Sequence, residues 1–169
     1  ENLRTACSDG GNLQAREKML LASTYAGMAF TRANVGYVHA IAHQFGGRYH
    51  TPHGLANAIV LPHVLRYSLP DITDRLATLA VRAGLGDEGE SEDVLAQKFI
   101  DGVVALERDI GIPTHLAALK EADIPNLAGG AAPPTECQRC GHKLNETPDL
   151  VPTEVDKMVF VQALVAPGL

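Results

Sequence analysis

Apolar residues in this chain recur three and four positions apart, segment after segment, and no stretch alternates apolar with polar residues in the manner of a strand. That spacing allows helices packed on one another and excludes a sheet-based fold. Glycine, proline and capping residues set the expected limits. Asp9-Gly10-Gly11-Asn12 reads as a turn ending in an N-cap, followed by a helix over 13–32 with Met19, Leu20, Ala22, Ala26, Met28, Ala29 and Phe30 as its apolar side chains. A second helix is expected over 35–45, stopped by Gly46-Gly47. A buried, nearly all-apolar helix follows over 53–67, kinked or divided at Pro62, and Pro70-Asp71 is expected to open another. Ser91, with Glu92 and Asp93 at the favourable end of the dipole, starts a long amphipathic helix that Gly111 and Pro113 close. Shorter helical pieces over 115–120 and 124–132, an irregular tail over 133–152 and a last helix over 153–164 complete an all-α helical bundle, taken as one domain over 1–169.

Composition narrows the function classes. A formal net charge of -6, with acidic and basic residues interspersed, argues against nucleic-acid binding, and the absence of a long uninterrupted apolar run argues against a membrane span. Three cysteines, Cys7, Cys137 and Cys140, are too few for a disulfide framework, so a reducing, cytoplasmic setting is expected. The start at Glu1 suggests a piece of something longer.

Of the seven histidines, His39, His43, His50 and His53 fall between positions 39 and 53. His39 and His43, four apart on a helix, project from one face. His53 follows a Gly-Gly break and Pro52, so the chain can fold back and bring a third imidazole to the same space. Small neighbours, Gly36, Ala40, Ala42, Gly46, Gly47 and Gly54, leave room for a ligand where a plain core would want bulk. Neutral imidazole suits iron, zinc, nickel or copper. A zinc hydrolase with the same His-x-x-x-His spacing needs a glutamate after the first histidine, and Ala40 stands there instead. Asn57, four residues after His53, is expected to bond to a backbone or imidazole partner and orient that histidine. His63 reads as structural or pocket-lining, His50 as a loop residue, and Cys137-x-x-Cys140-x-His142 as an incomplete zinc knuckle or an incidental set of thiols.

The runs Ala26-Gly27-Met28-Ala29-Phe30, Gly36-Tyr37-Val38-His39-Ala40-Ile41-Ala42-His43-Gln44-Phe45-Gly46-Gly47, Thr51-Pro52-His53-Gly54-Leu55-Ala56-Asn57-Ala58 and Leu61-Pro62-His63-Val64 together resemble the signature of the iron-dependent (group III) alcohol dehydrogenases. The likeness covers roughly residues 12–132 and is strongest over 26–67. It implies that the chain is the helical, metal-binding C-terminal part of such an enzyme, whose N-terminal α/β domain, holding most of the NAD or NADP site, is missing. It further implies that His39 and His53 are ligands to Fe2+, with Zn2+ as the alternative ion, and that His43 lines the substrate and nicotinamide pocket and relays a proton. The implied reaction is reversible hydride transfer between an alcohol and an aldehyde or ketone, in a homo-oligomer when complete. Maleylacetate reductases and glycerol dehydrogenases are the relatives within this class; a catalytically inert metal- or partner-binding helical module is the alternative from another.

Two elements of the family pattern are not met. Its remaining ligands are an aspartate and a histidine four apart on an earlier helix, and no Asp-x-x-x-His precedes His39. Gly46-Gly47 and Gly129-Gly130 also lack the strand-to-helix setting of a dinucleotide loop. The chain alone is therefore expected to hold metal weakly and to catalyse no turnover.

Overall fold

The structure, a computed structural model, describes residues 1–33 and 36–131. All regular elements among them are helical: α1 (Leu3–Ser8), α2 (Leu13–Ala33), α3 (Tyr37–Tyr49), α4 (His53–Arg82), α5 (Glu92–Asp109), a 3-10 turn over Glu121–Asp123 and α6 (Ile124–Ala131). None of the described helices is long and apolar enough to cross a membrane. The chain divides into two compact units, one of residues 1–36 and 65–113, the other of residues 37–64 and 114 onward. The expected tail, its Cys137, Cys140 and His142, and the last helix lie outside the described residues.

In the first unit the later part of α4 packs on α5. Leu76, Ala96 and Ile100 form one buried cluster with Leu65, Leu69, Ile72 and Phe99 against it. Ala77, Ala80 and Leu95 form a second, with Val81. Both helices end alike. Gly84 and Gly111 take positive φ, +69 and +79, so that Leu85 N–H reaches back to the Ala80 carbonyl at 2.9 Å and Ile112 N–H to that of Glu107 at 2.9 Å. A Cβ would resist that left-handed step, which is why glycine stands at both places. Asn12 caps α2 as its sequence suggests, its Oδ1 accepting from Ala15 N–H at 3.0 Å. The short α1 before it, with no apolar repeat to announce it, leans on α2, and Arg4 pairs with Asp109 at 2.8 Å on the surface.

Several expected boundaries are corrected. α3 runs through Gly46-Gly47 to Tyr49, because glycine permits a helix to end without obliging it to. Pro62 and Pro70 do not divide the segment after them: α4 is continuous from His53 to Arg82. Each interior proline forfeits one backbone bond at a cost of about 3 kcal/mol. The burial of Ile59, Val60, Pro62 and Val64 around the first proline favours continuing the helix. The piece expected over 115–120 is turn and loop, with regular structure resuming at Glu121. Ser91 precedes α5 as expected but makes no side-chain capping bond; its carbonyl accepts from Leu95 N–H at 3.0 Å. The apolar residues of α2 face outward: Leu20 is 70% exposed, Met28 67% and Tyr25 65%, while Ala15 is buried.

Glu107 lies on the inner side of α5, one helical turn from Val103 and Ile110. Burial pushes its carboxyl up to about 7, and Arg66 opposes that shift. The unfolded chain releases this proton near the ordinary glutamate value, so between the two values the folded state binds the extra proton. The group's contribution is therefore fully present below the unfolded value and is lost as pH rises through 7. Glu107 is only half-buried, so solvent screening discounts the effect, and Glu107→Gln is expected to stabilise the chain by on the order of 1 kcal/mol at pH 8 and by little at pH 4.5, read from urea unfolding at both values; an equal gain at the two pH values would contradict this assignment.

The second unit is built around α3, the first part of α4 and α6. Phe45 is fully buried, with Ile41, Val60, Ile124, Leu127 and Ala131 also in its core. Gln44 Nε2 donates to the Gly130 carbonyl at 2.8 Å, and Asp123 is held by Arg48 at 2.7 Å and by the Tyr49 hydroxyl at 2.8 Å. These bonds keep the Asp123 carboxyl below its usual range, the Tyr49 bond contributing most and that of Arg48 next. Phe45→Ala is expected to cost about 3–5 kcal/mol, against less than about 0.5 kcal/mol for Leu20→Ala on the exposed face of α2, both measured by chemical denaturation.

Candidate metal and substrate site

His39 and His43 lie one turn apart on α3, and His53 is the first residue of α4. The link between them is three residues long and unusually constrained. His50 sits at φ 54, the left-handed region that a non-glycine residue seldom enters. Its N–H still bonds to the Gly46 carbonyl at 3.0 Å, and Thr51 N–H reaches the Phe45 carbonyl at 3.4 Å, so the end of α3 is tied down as the chain reverses. Thr51 is buried, and the Pro52 carbonyl accepts from Ala56 N–H at 2.9 Å to begin α4.

The reversal brings the three rings together. The centroid of His53 lies 5.3 Å from that of His39 and 5.4 Å from that of His43, and the rings of His39 and His43 are 6.0 Å apart. His39 is partly buried, whereas His43 and His53 are exposed. Burial lowers the His39 pKa, and the neighbouring rings of His53 and His43 lower it further. His39 thus favours its neutral form, the form in which imidazole binds metal.

Two imidazoles that reach one ion through nitrogens at about 2.1 Å place their ring centroids roughly 5 Å apart at a near-tetrahedral angle. The spacing of His39 and His53 fits that requirement. No group of three or more histidine, cysteine, aspartate or glutamate residues among the described residues is placed to hold an ion. The chain groups three imidazoles, with His39 and His53 at a spacing compatible with a shared ion.

Asn57 meets its expectation: its Nδ2 lies 3.1 Å from His53 Nε2 and donates to the His53 carbonyl at 2.8 Å. His63, farther along α4, is partly buried; His50 forms the turn, and His115 lies exposed beside the Thr114 hydroxyl at 3.3 Å. A cavity of about 260 Å³ in the same unit is lined by Gln44, Gly47, Arg48, Asp123, Asn126 and Leu127, and none of the three clustered histidines lines it. There Arg48 pairs with Asp123, and Gln44 is bonded to the Gly130 carbonyl. Neither the Asp123 network nor half-buried Glu107 was anticipated from the sequence. For Glu107 the signal was present, an acid spaced three and four from Val104 and Val103 on an amphipathic helix.

Residues 1–147 match the model of the Fe-containing alcohol dehydrogenase family, C-terminal. The chain belongs to that family. It is 53% identical over 129 residues to the 1,3-propanediol dehydrogenase of Klebsiella pneumoniae, an alignment covering 75% of this chain and 33% of the relative. It is 41% identical over 126 residues to the lactaldehyde reductase of Escherichia coli (strain K12), covering 73% and 33%. A solved 1,3-propanediol oxidoreductase superposes with a TM-score of 0.80 at 44% identity, over 96% of this chain and 41% of that one. The chain thus aligns with about a third of the length of the relatives it matches.

The turn at His50 should be sensitive to backbone preference. His50→Gly is expected to leave stability unchanged or raise it by up to about 1 kcal/mol, and His50→Val to lower it by about 1–3 kcal/mol. Thermal unfolding of the two variants checks the order, which would be reversed if the left-handed conformation were not required.

Proposed function

We propose that this chain is the helical part of an enzyme that interconverts a small alcohol and its aldehyde or ketone by hydride transfer with NAD or NADP. The convergence of His39, His43 and His53 carries this assignment, because it joins the donor pair to a third imidazole suited to moving a proton. His39 and His53 would hold Fe2+, with Zn2+ the alternative, through neutral ring nitrogens. When bound, the ion supplies a Lewis acid for the alcohol oxygen. The nicotinamide, held mainly by a domain outside this chain, supplies the hydride acceptor.

The chain's own residues bind, orient and move protons. Partial burial and the adjacent rings keep His39 in its ligating form. His43, exposed beside the pair, would take the hydroxyl proton on a ring nitrogen and pass it to solvent. The names of the relatives, a propanediol dehydrogenase and a lactaldehyde reductase, support a short substrate carrying a second oxygen. The apolar side chains left exposed on α2 support burial against further protein in a cytoplasmic homo-oligomer.

The 169-residue chain by itself is expected to oxidise no alcohol with NAD or NADP. Joined to a family nucleotide-binding half that brings the remaining ligands, it should reduce NAD with short diols. In that complete enzyme His39→Ala should lose bound iron by elemental analysis. His43→Ala should keep the iron while kcat falls by about 10²–10⁴. Iron bound with no turnover in the complete enzyme would favour an inert metal-binding module; full activity in His39→Ala would sink the assignment.

A further inference from the structure

Asn57 makes three distinct uses of its amide, and together they specify the state of His53. Its Nδ2 donates to the His53 carbonyl at 2.8 Å, stands 3.1 Å from His53 Nε2, and leaves Oδ1 buried without a partner. The carbonyl contact fixes the orientation of the amide. A backbone oxygen can only accept, so the atom against it is the nitrogen; turned over, the amide would press Oδ1 against that oxygen. The ring contact then fixes the tautomer. An amide nitrogen has no electron pair to offer, so Nε2 is the acceptor and the hydrogen of the neutral ring sits on Nδ1. The unpartnered Oδ1 shows that the nitrogen's two bonds hold the side chain where its own acceptor goes unsatisfied.

The Nε2 electron pair is also one through which His53 can bind an ion. We propose that Asn57 is a positioning residue that latches His53, keeping the Nε2 pair free of hydrogen and on the amide until a metal ion takes it in exchange. The exchange rests on the proposed role of His53 as a ligand; the tautomer does not. Coordination through Nε2 breaks one amide bond and leaves the bond from Nδ2 to the His53 carbonyl in place, so the latch opens without undoing the start of α4.

The test uses the full 169-residue chain labelled with 15N at histidine, with ring nitrogens read by long-range 1H–15N correlation at pH 8 and His53 assigned by its loss in His53→Ala. The wild type is expected to show His53 as the Nδ1–H form. Asn57→Leu, of similar size without a donor, should release the ring towards Nε2–H. Asn57→Asp, which can only accept when ionised, should hold it there and keeps the test decisive if the leucine variant does not fold by circular dichroism. Zinc added to each form is followed at the His53 nitrogens, so that ions at other histidines or cysteines do not register. Asn57→Leu is expected to bind about three- to tenfold more tightly than wild type. A wild-type Nε2–H ring, or a tautomer unchanged in both variants, overturns the latch. Equal or weaker zinc binding in Asn57→Leu overturns the exchange alone. Zinc that never reaches the His53 nitrogens in any form overturns the exchange and the metal assignment together.

Discussion

The left-handed turn at His50 is the constraint on which the site depends. It ends α3 while two backbone bonds hold the last turn in place, and it starts α4 three residues later with His53 facing the pair on α3. Phe45, fully buried one turn before it, anchors the same stretch in the core of its unit, and the Phe45 carbonyl receives the Thr51 N–H. Packing and chemistry are therefore coupled through a few residues. The side chains that fill the core set the direction in which the imidazoles leave the helix.

The three imidazoles are the chemical feature that the second unit gathers. Partial burial of His39, with the neighbouring rings of His53 and His43 at 5.3 and 6.0 Å, favours its neutral form over imidazolium. Among the described residues no group of three or more histidine, cysteine, aspartate or glutamate residues is placed to hold an ion, and the chain aligns with a third of the length of its relatives. On α2, leucine, methionine and tyrosine side chains stand outward although the family signature includes that helix.

Local patterns predicted much of the helix content correctly, and their failures share one cause. Gly46-Gly47, Pro62 and Pro70 were expected to end or divide helices, since each lowers the local preference for helix. Burial overrode that preference: α3 passes through its glycines beneath a core led by Ile41 and Phe45, and α4 passes its first proline among buried valine and isoleucine. The Asp123 network was not legible, because Arg48 and Tyr49 are more than seventy positions from their partner. Asn57 was legible, because a partner four residues back on a helix is always within reach.

From the sequence alone came the all-α class, the caps at Asn12 and Gly111, the family, and the shared face of His39 and His43, all of which follow from spacing within one helix or from an ordered run of residues. The tertiary structure decided what spacing cannot specify: that His53 returns to that face, that His39 is the shielded ring, that Glu107 is half-buried near Arg66, and that α2 turns its apolar side chains outward. Each of these depends on which distant segment fills the space around a residue, and burial of that kind is a property of the packed chain.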